Sequence, residues 1–102
     1  MMTTIHYKRT GGTMGNELAA NFDLDEMPDD LAQRLHNLIT ETRFFATPVS
    51  HELMPRPDEF EYTVSIHAGQ SMHTVRATDT SMPESLRPLI EELTELAKAA
   101  ER

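Results

Sequence analysis

Five histidines are the side chains of this chain best suited to bind a metal or to move a proton. They are His6, His36, His51, His67 and His73. No two of them have the i, i+4 spacing by which one helix presents two imidazoles to zinc. His67 and His73 could approach each other across a predicted hairpin, but two ligands without a visible third are more typical of ordinary strand residues. We therefore expect no metal site, and a weak enzyme built on histidine is the less favoured alternative.

The usual nucleophiles of hydrolases have no supporting motif in this sequence. The chain has no Cys, which excludes disulfides and thiolate chemistry, and it has no G-x-S-x-G elbow for a serine nucleophile. Glu59 and Glu61 are spaced as alternate residues beside Phe60 and Tyr62, which favours a solvated strand face over an acid/base pair. The sequence predicts a protein that is not an enzyme and carries no cofactor.

A glycine-rich stretch from Gly11 to Gly15 is the remaining candidate for chemistry. A phosphate-binding loop joins a strand to a helix and is followed by Lys and then Ser or Thr. This stretch joins two predicted strands and has no such pair after it. Two interpretations stay open: the glycines permit a tight turn because they accept positive φ, or the loop contacts a partner.

The first half of the sequence predicts a β-hairpin followed by a helix. Residues 4–9 and 17–24 each alternate between apolar and polar side chains, with a loop at 10–16 between them. Pro28 suits the first helical position, since its φ is fixed and its missing N–H would have no partner there. The apolar residues after it keep helical spacing: Leu31, Leu35, Leu38 and Ile39. We expect a helix at 28–42, with Phe44 and Phe45 packing over its end.

The second half repeats this order after a loop that contains Pro48, Pro55 and Pro57. Residues 59–66 alternate, and Ala68-Gly69-Gln70-Ser71 reverses the chain into a strand that carries His73, Val75 and Ala77. Pro88 must lie in the first turn of the closing helix, since it would break a helix at a deeper position. We expect Ser85 to be the cap of that helix. Its apolar stripe consists of Leu86, Leu89, Ile90, Leu93, Leu96 and Ala97.

The order of hairpin, helix, hairpin and helix predicts the fold class. We expect an α+β fold of ββαββα order, with a four-stranded, largely antiparallel sheet and two helices packed on its apolar face. A chain of 102 residues with 38% hydrophobic residues can supply one core but hardly two. We therefore expect one domain over residues 1–102.

The charge of the chain limits its partners. Nine Lys and Arg against 17 Asp and Glu give a net charge of -8, which repels phosphate backbones and anionic lipids. Nucleic acid and membranes are therefore disfavoured as partners. The first residues lack the apolar core of a secretion signal, and no apolar run approaches the roughly 20 residues of a membrane span. We expect a cytoplasmic monomer that binds another protein, with secretion by another route as the alternative.

Five segments, taken in order, resemble the emfourin family. They are Ile5-His6-Tyr7-Lys8-Arg9-Thr10-Gly11-Gly12, Phe22-Asp23-Leu24, Phe60-Glu61-Tyr62-Thr63-Val64, His73-Thr74-Val75-Arg76 and Leu86-Arg87-Pro88-Leu89-Ile90. No single segment is specific, but their order along nearly the whole chain is. Emfourin is a proteinaceous inhibitor of protealysin. The resemblance implies a reversible inhibitor that blocks the substrate cleft of thermolysin-like zinc metalloproteases, with the zinc belonging to the protease.

Two connecting segments are candidates for contact with a protease. An inhibitor needs a segment that enters the cleft and is held rigidly, because preorganisation lowers the cost of binding. The first candidate segment comprises Thr10, Gly11, Gly12, Thr13, Met14, Gly15 and Asn16, and the second is the proline-rich stretch around Leu53 and Met54. We favour the first, with Met14 entering a specificity pocket. A small-molecule or peptide-binding module that uses the polar sheet face or an edge strand is the alternative function.

Overall fold

The computed structural model describes residues 3–11, 17–47 and 59–100. Their main elements in chain order are β1 (Thr3–Gly11), β2 (Leu18–Asp23), α1 (Asp29–Thr42), β3 (Phe60–Ala68), β4 (Ser71–Thr78) and α2 (Arg87–Ala100). Two short 3-10 helices follow β2 and α1, at Leu24–Glu26 and Phe44–Ala46. The predicted α+β class and ββαββα order are confirmed.

The four strands form one antiparallel sheet in the order β2-β1-β3-β4. The two central strands, β1 and β3, pair along their full length from Thr3 opposite Ala68 to Gly11 opposite Phe60. This pairing joins the two hairpins, and it leaves β2 and β4 at the edges. The sheet therefore has a centre made of one strand from each half of the chain.

One face of the sheet carries the hydrophobic core, and both helices pack on this face. The alternation along each strand aims one set of side chains at the helices. The larger buried members from the sheet are Ile5, Tyr7, Leu18, Val64, Ile66 and Val75, and those from the helices are Leu35, Ile39, Leu89, Ile90 and Leu93. The opposite face is polar, as the alternation predicts.

Polar contacts join the helices to the sheet and to each other. The Tyr7 hydroxyl of β1 donates to Thr94 Oγ1 of α2 at 2.6 Å, and the Thr94 hydroxyl donates to the Ile90 carbonyl at 2.8 Å. Arg34 Nε of α1 lies 2.8 Å from Glu92 Oε1 of α2. These contacts fix where α2 lies above β1.

The predicted starts of both helices are wrong by one residue. Pro28 is the N-cap of α1 and not its first residue, because its ψ of 143° is extended while its carbonyl already accepts from Ala32 N–H at 2.9 Å. A fixed φ fits both positions, so proline alone could not distinguish them. At α2, the Leu86 carbonyl accepts the bond from Ile90 N–H at 3.2 Å, which places the cap at Leu86 and not at Ser85. Pro88 lies in the first helical turn, as predicted.

The predicted packing of the two phenylalanines after α1 is half right. The helix ends at Thr42, as predicted, because Arg43 adopts the left-handed conformation with a φ of 54°. Phe44 is fully buried, whereas Phe45 is 41% exposed.

Among the described residues, no helix is long and apolar enough to cross a membrane.

Candidate functional site

Each predicted contact segment has at least one of its ends at the same end of the sheet. In an antiparallel sheet of this order, β1 and β4 finish where β2 and β3 start, as the partners Gly11 with Phe60 and Glu61 with Thr78 show. We call this region the loop end. Its described residues are Thr10, Gly11, Glu17, Leu18, Glu59, Phe60, Thr78, Asp79, Thr80 and Ser81. The first segment starts after Gly11, and the second runs into Glu59.

Thr10 and Gly11 are strand residues, which corrects the predicted loop boundary. They pair with Glu61 and Phe60 of β3, so β1 is longer than its alternating pattern indicated. Hydrophobic alternation ends at a threonine and a glycine, but backbone pairing with a central neighbour does not depend on side-chain type. The other residues predicted to contact a protease lie outside the described residues; they are Gly12, Thr13, Met14, Gly15, Asn16, Leu53 and Met54.

Gly11 has a backbone that other residues rarely adopt. Its φ is 94°, and a Cβ at this position would lie 2.7 Å from the carbonyl oxygen of Glu59. Both observations require glycine here. Gly11 therefore does more than permit a turn. Because it has no side chain, the end of β1 can lie close to the Glu59 carbonyl, at the end of the second segment.

An aromatic row on the helix-facing side supports the loop end. The Arg9 guanidinium lies 4.1 Å from the centre of the Phe60 ring, a distance typical of a cation–π contact. The Tyr62 ring follows, 6.4 Å from that of Phe60 and 6.5 Å from that of Tyr7. Within the described residues, Arg9 Nε is buried and has no hydrogen-bond partner. The ring contact therefore holds Arg9 against the base of the second segment.

Asp79 links the turn after β4 to the start of β3. Its Oδ2 accepts from the Phe60 N–H at 3.1 Å, and its Oδ1 accepts from the Tyr62 hydroxyl at 3.0 Å. Its carbonyl accepts from Arg87 Nη2 of α2 at 3.3 Å. The next residue, Thr80, donates its N–H to Glu59 Oε1 at 3.1 Å. Our sequence reasoning missed Asp79, because a lone Asp in a polar turn gives no periodic signal.

The two tyrosines of this region stay protonated at neutral pH. Burial, followed by the hydrogen bond and charge of Asp79, raises the pKa of Tyr62 to about 12. Burial also raises the pKa of Tyr7, against the opposing effects of its Thr94 bond and the Arg9 charge. Both hydroxyls therefore serve as hydrogen-bond donors within the scaffold.

The histidine pair considered as a metal site does not form. The register places His67 opposite Met72 and His73 opposite Ile66, so the two imidazoles lie on opposite faces of the sheet. His73 packs edge-on against Phe44, and its Nε2 lies 2.6 Å from the Thr47 carbonyl oxygen. Residues 3–11, 17–47 and 59–100 contain no group of three His, Cys, Asp or Glu side chains placed to hold a metal. His51 lies outside the described residues.

Glu59 and Glu61 have separate partners, which fits the strand-face prediction for Glu61. Glu61 forms an ion pair with Arg76 on the polar face. Glu59 precedes β3 and bonds to the backbone of Thr80, so its role is at the loop end. Neither carboxylate is paired with the other as an acid/base couple.

Surface hollows lie at both ends of the sheet, among others on the described residues. One of about 200 Å³ lies beside the loop end, between Tyr62, Met82 and the Arg87 end of α2. It is smaller than the roughly 300–1,000 Å³ of ordinary ligand pockets. Another, of about 390 Å³, is lined by Thr3, Ala68 and the Phe45 ring among others, and lies at the opposite end of the sheet.

Comparison with known proteins identifies the family. The emfourin family model matches residues 7–94, a span that runs from Tyr7 in β1 to Thr94 in α2. No curated protein and no solved structure gives a significant match. Because the matched span covers most of the 102 residues and includes residues of all four strands, this chain belongs to the emfourin family, a family of protease inhibitors.

Proposed function

We propose that this chain is a reversible inhibitor of a thermolysin-like zinc metalloprotease of the protealysin type, and that the two candidate segments connected to its loop end block the substrate cleft. The family supports a protease partner and a protein that is not itself an enzyme. The zinc ion would belong to the protease, so the inhibitor needs no metal or cofactor. The chain acts by occupying the cleft and not by turnover.

The pairing of Gly11 with Phe60 is the observation that carries this proposal. These residues are the strand ends next to the two candidate segments, and they lie on neighbouring central strands. Neighbouring strands are roughly 4.7–4.9 Å apart. Two segments anchored this close on a packed sheet can form one projecting surface, which is what a cleft inhibitor requires.

Within this surface, we assign the main contact to the segment from Thr10 to Asn16. Met14 supplies an apolar side chain for a specificity pocket, where full burial of such a side chain contributes roughly 1.5–3 kcal/mol. Leu53 and Met54 form the second contact. The Tyr62 ring and the bond to Asp79 hold Phe60, the strand residue next to the second segment, from the core side.

A titration tests the inhibitory function directly. The chain is added to a fixed amount of a thermolysin-like protease, and the residual rate on a small peptide substrate is measured. We expect activity to fall in proportion to inhibitor up to about one equivalent, as tight binding requires. Full activity at micromolar inhibitor contradicts the proposal.

Steady-state kinetics test the blocked cleft. An inhibitor that occupies the cleft raises the apparent KM and leaves kcat unchanged, whereas one that binds elsewhere lowers kcat. Trypsin is the matched control, because a serine protease offers no zinc cleft. Mass spectrometry of the recovered chain shows whether it is intact, which separates inhibition from competition by a substrate that is being digested.

One observation favours the alternative of a peptide-binding module. The polar face of the sheet is not covered by any element of the described residues, and it exposes His6, His67 and Met72. Binding there predicts NMR shift changes at these residues on addition of a peptide, with no change at Gly11. Shift changes at Gly11 with protease, and none on the polar face, favour inhibition.

A further inference from the structure

The start of β3 is held by a residue far away in sequence. The Phe60 N–H donates to Asp79 Oδ2 across a separation of 19 residues. The Tyr62 hydroxyl donates to the other oxygen of the same carboxylate. The Asp79 carboxylate thus accepts from the backbone of Phe60, the first residue of β3, and from the side chain of Tyr62, the next residue of that strand that faces the helices.

The turn that carries Asp79 is itself fixed from two sides. Arg87 of α2 donates to the Asp79 carbonyl, and Thr80 N–H donates to Glu59 Oε1. The carbonyl of Glu59 is the atom that leaves no space for a side chain at Gly11. A continuous set of contacts therefore runs from α2 through Asp79 and Glu59 to Gly11, the residue before the first candidate segment.

The chemistry of this contact set favours rigidity. The Phe60 N–H and the Tyr62 hydroxyl are partly buried donors, and a carboxylate that accepts from both forms stronger bonds than a neutral acceptor. With its pKa near 12, Tyr62 keeps its proton at the pH at which neutral proteases work. Removing the carboxylate takes the Asp79 acceptor from two partly buried donors, which is costlier than losing a solvated bond.

We propose that Asp79 is a positioning residue, which fixes the base of both candidate segments and so sets affinity for the protease without touching it. This inference rests on the proposed function. The physical link is preorganisation, since a loop that must be ordered on binding loses affinity. The fully folded protein with a loosened loop end should therefore bind more weakly.

Three variants test this role. Asp79→Ala removes both acceptor oxygens, and we expect the inhibition constant to rise about tenfold or more, with faster exchange of the Phe60 amide proton. Asp79→Asn should restore inhibition to within about threefold of wild type, because its amide oxygen accepts from Phe60 N–H and its NH₂ donates to the Tyr62 oxygen. If Asp79→Ala fails to fold, Tyr62→Phe removes one of the two bonds and should show a smaller effect in the same direction.

A control separates positioning from general loss of stability. Ile39→Val shortens a core side chain near Thr3 and Ala68, at the opposite end of the sheet. Its melting temperature should fall, as that of Asp79→Ala does, while its inhibition constant stays within about twofold of wild type. A folded Asp79→Ala that inhibits like wild type, or an equal loss in Ile39→Val, overturns the positioning role alone. A wild-type chain that does not inhibit overturns the proposed function, and with it the role in affinity.

Discussion

Gly11 is a position at which the sheet leaves no space for a Cβ. We expect Gly11→Ala to lower the free energy of unfolding by about 1–3 kcal/mol, because it combines a positive φ with a Cβ placed against the Glu59 carbonyl. Urea denaturation measures the change. Gly69→Ala is the matched control, since Gly69 also has a positive φ, of 61°, in the turn between β3 and β4. It should cost less, about 1 kcal/mol, and leave inhibition unchanged. Equal costs would mean that contact with Glu59 does not matter.

Met14 is the side chain that we assign to the specificity pocket. We expect Met14→Asp to weaken inhibition at least about tenfold, because a buried charge without a partner opposes binding. Circular dichroism should show an unchanged fold, since the core of the described residues is complete without Met14. Met72→Asp is the control, as Met72 is 69% exposed on the polar face away from the loop end. Unchanged inhibition by Met14→Asp would remove the first segment from the binding site.

Ionisation of Tyr62 makes the free energy of unfolding depend on pH in the alkaline range. Below pH 10 it is protonated in both the folded and the unfolded chain, so it contributes no pH dependence. Between pH 10 and its folded pKa of about 12 only the unfolded chain ionises, so stability falls as pH rises. The loss is on the order of 2 kcal/mol. Urea denaturation of the wild type and Tyr62→Phe at pH 9 and pH 11 isolates this effect, since the variant should lose less between the two values. Parallel losses would contradict it.

Among the elements, the strands and helices could be predicted from the sequence because their apolar residues recur at regular spacing. The alternation of residues 59–66 and the stripe of α2 each define one buried face. The pairing of β1 with β3 was not predicted, because a period of two reveals which face is buried but not which strand is the neighbour. Thr10 and Gly11 were assigned to a loop for the same reason, since their strand character comes from that neighbour.

Of the candidate site, the sequence predicted only two contact segments. Glycine and proline content marked the stretches next to Gly11 and before Glu59 as connections. The proximity of Gly11 and Phe60, the strand residues next to these segments, depends on strand order, which is a long-range property. The bonds of Asp79 to Phe60 and Tyr62 depend on the same order, since they span 19 and 17 residues. Local sequence patterns therefore identified the two segments but not the hydrogen bonds of Asp79 beside them.

The contact between β1 and α2 yields an asymmetric prediction. Thr94→Val leaves the buried Tyr7 O–H without an acceptor, and we expect a loss of about 1–3 kcal/mol. Tyr7→Phe removes that donor, while the Thr94 hydroxyl keeps its bond to the Ile90 carbonyl, so the loss should be only about 1 kcal/mol. Denaturant unfolding of both variants gives the comparison. A costlier Tyr7→Phe would contradict this assignment of donor and acceptor.

For the whole molecule, the scaffold should matter more than the sequence of the contact segment. A linear peptide covering residues 9–18 contains the first candidate segment without the pairing of β1 to β3. We expect it to inhibit at least about a hundredfold more weakly than the intact chain, because the linear peptide lacks the strand pairing that fixes both ends of the segment in the folded chain. A version cyclised through its ends should recover part of the difference. Inhibition constants for the two peptides and the intact chain decide the matter, and a linear peptide as potent as the chain would show that the sheet is not needed to present the segment.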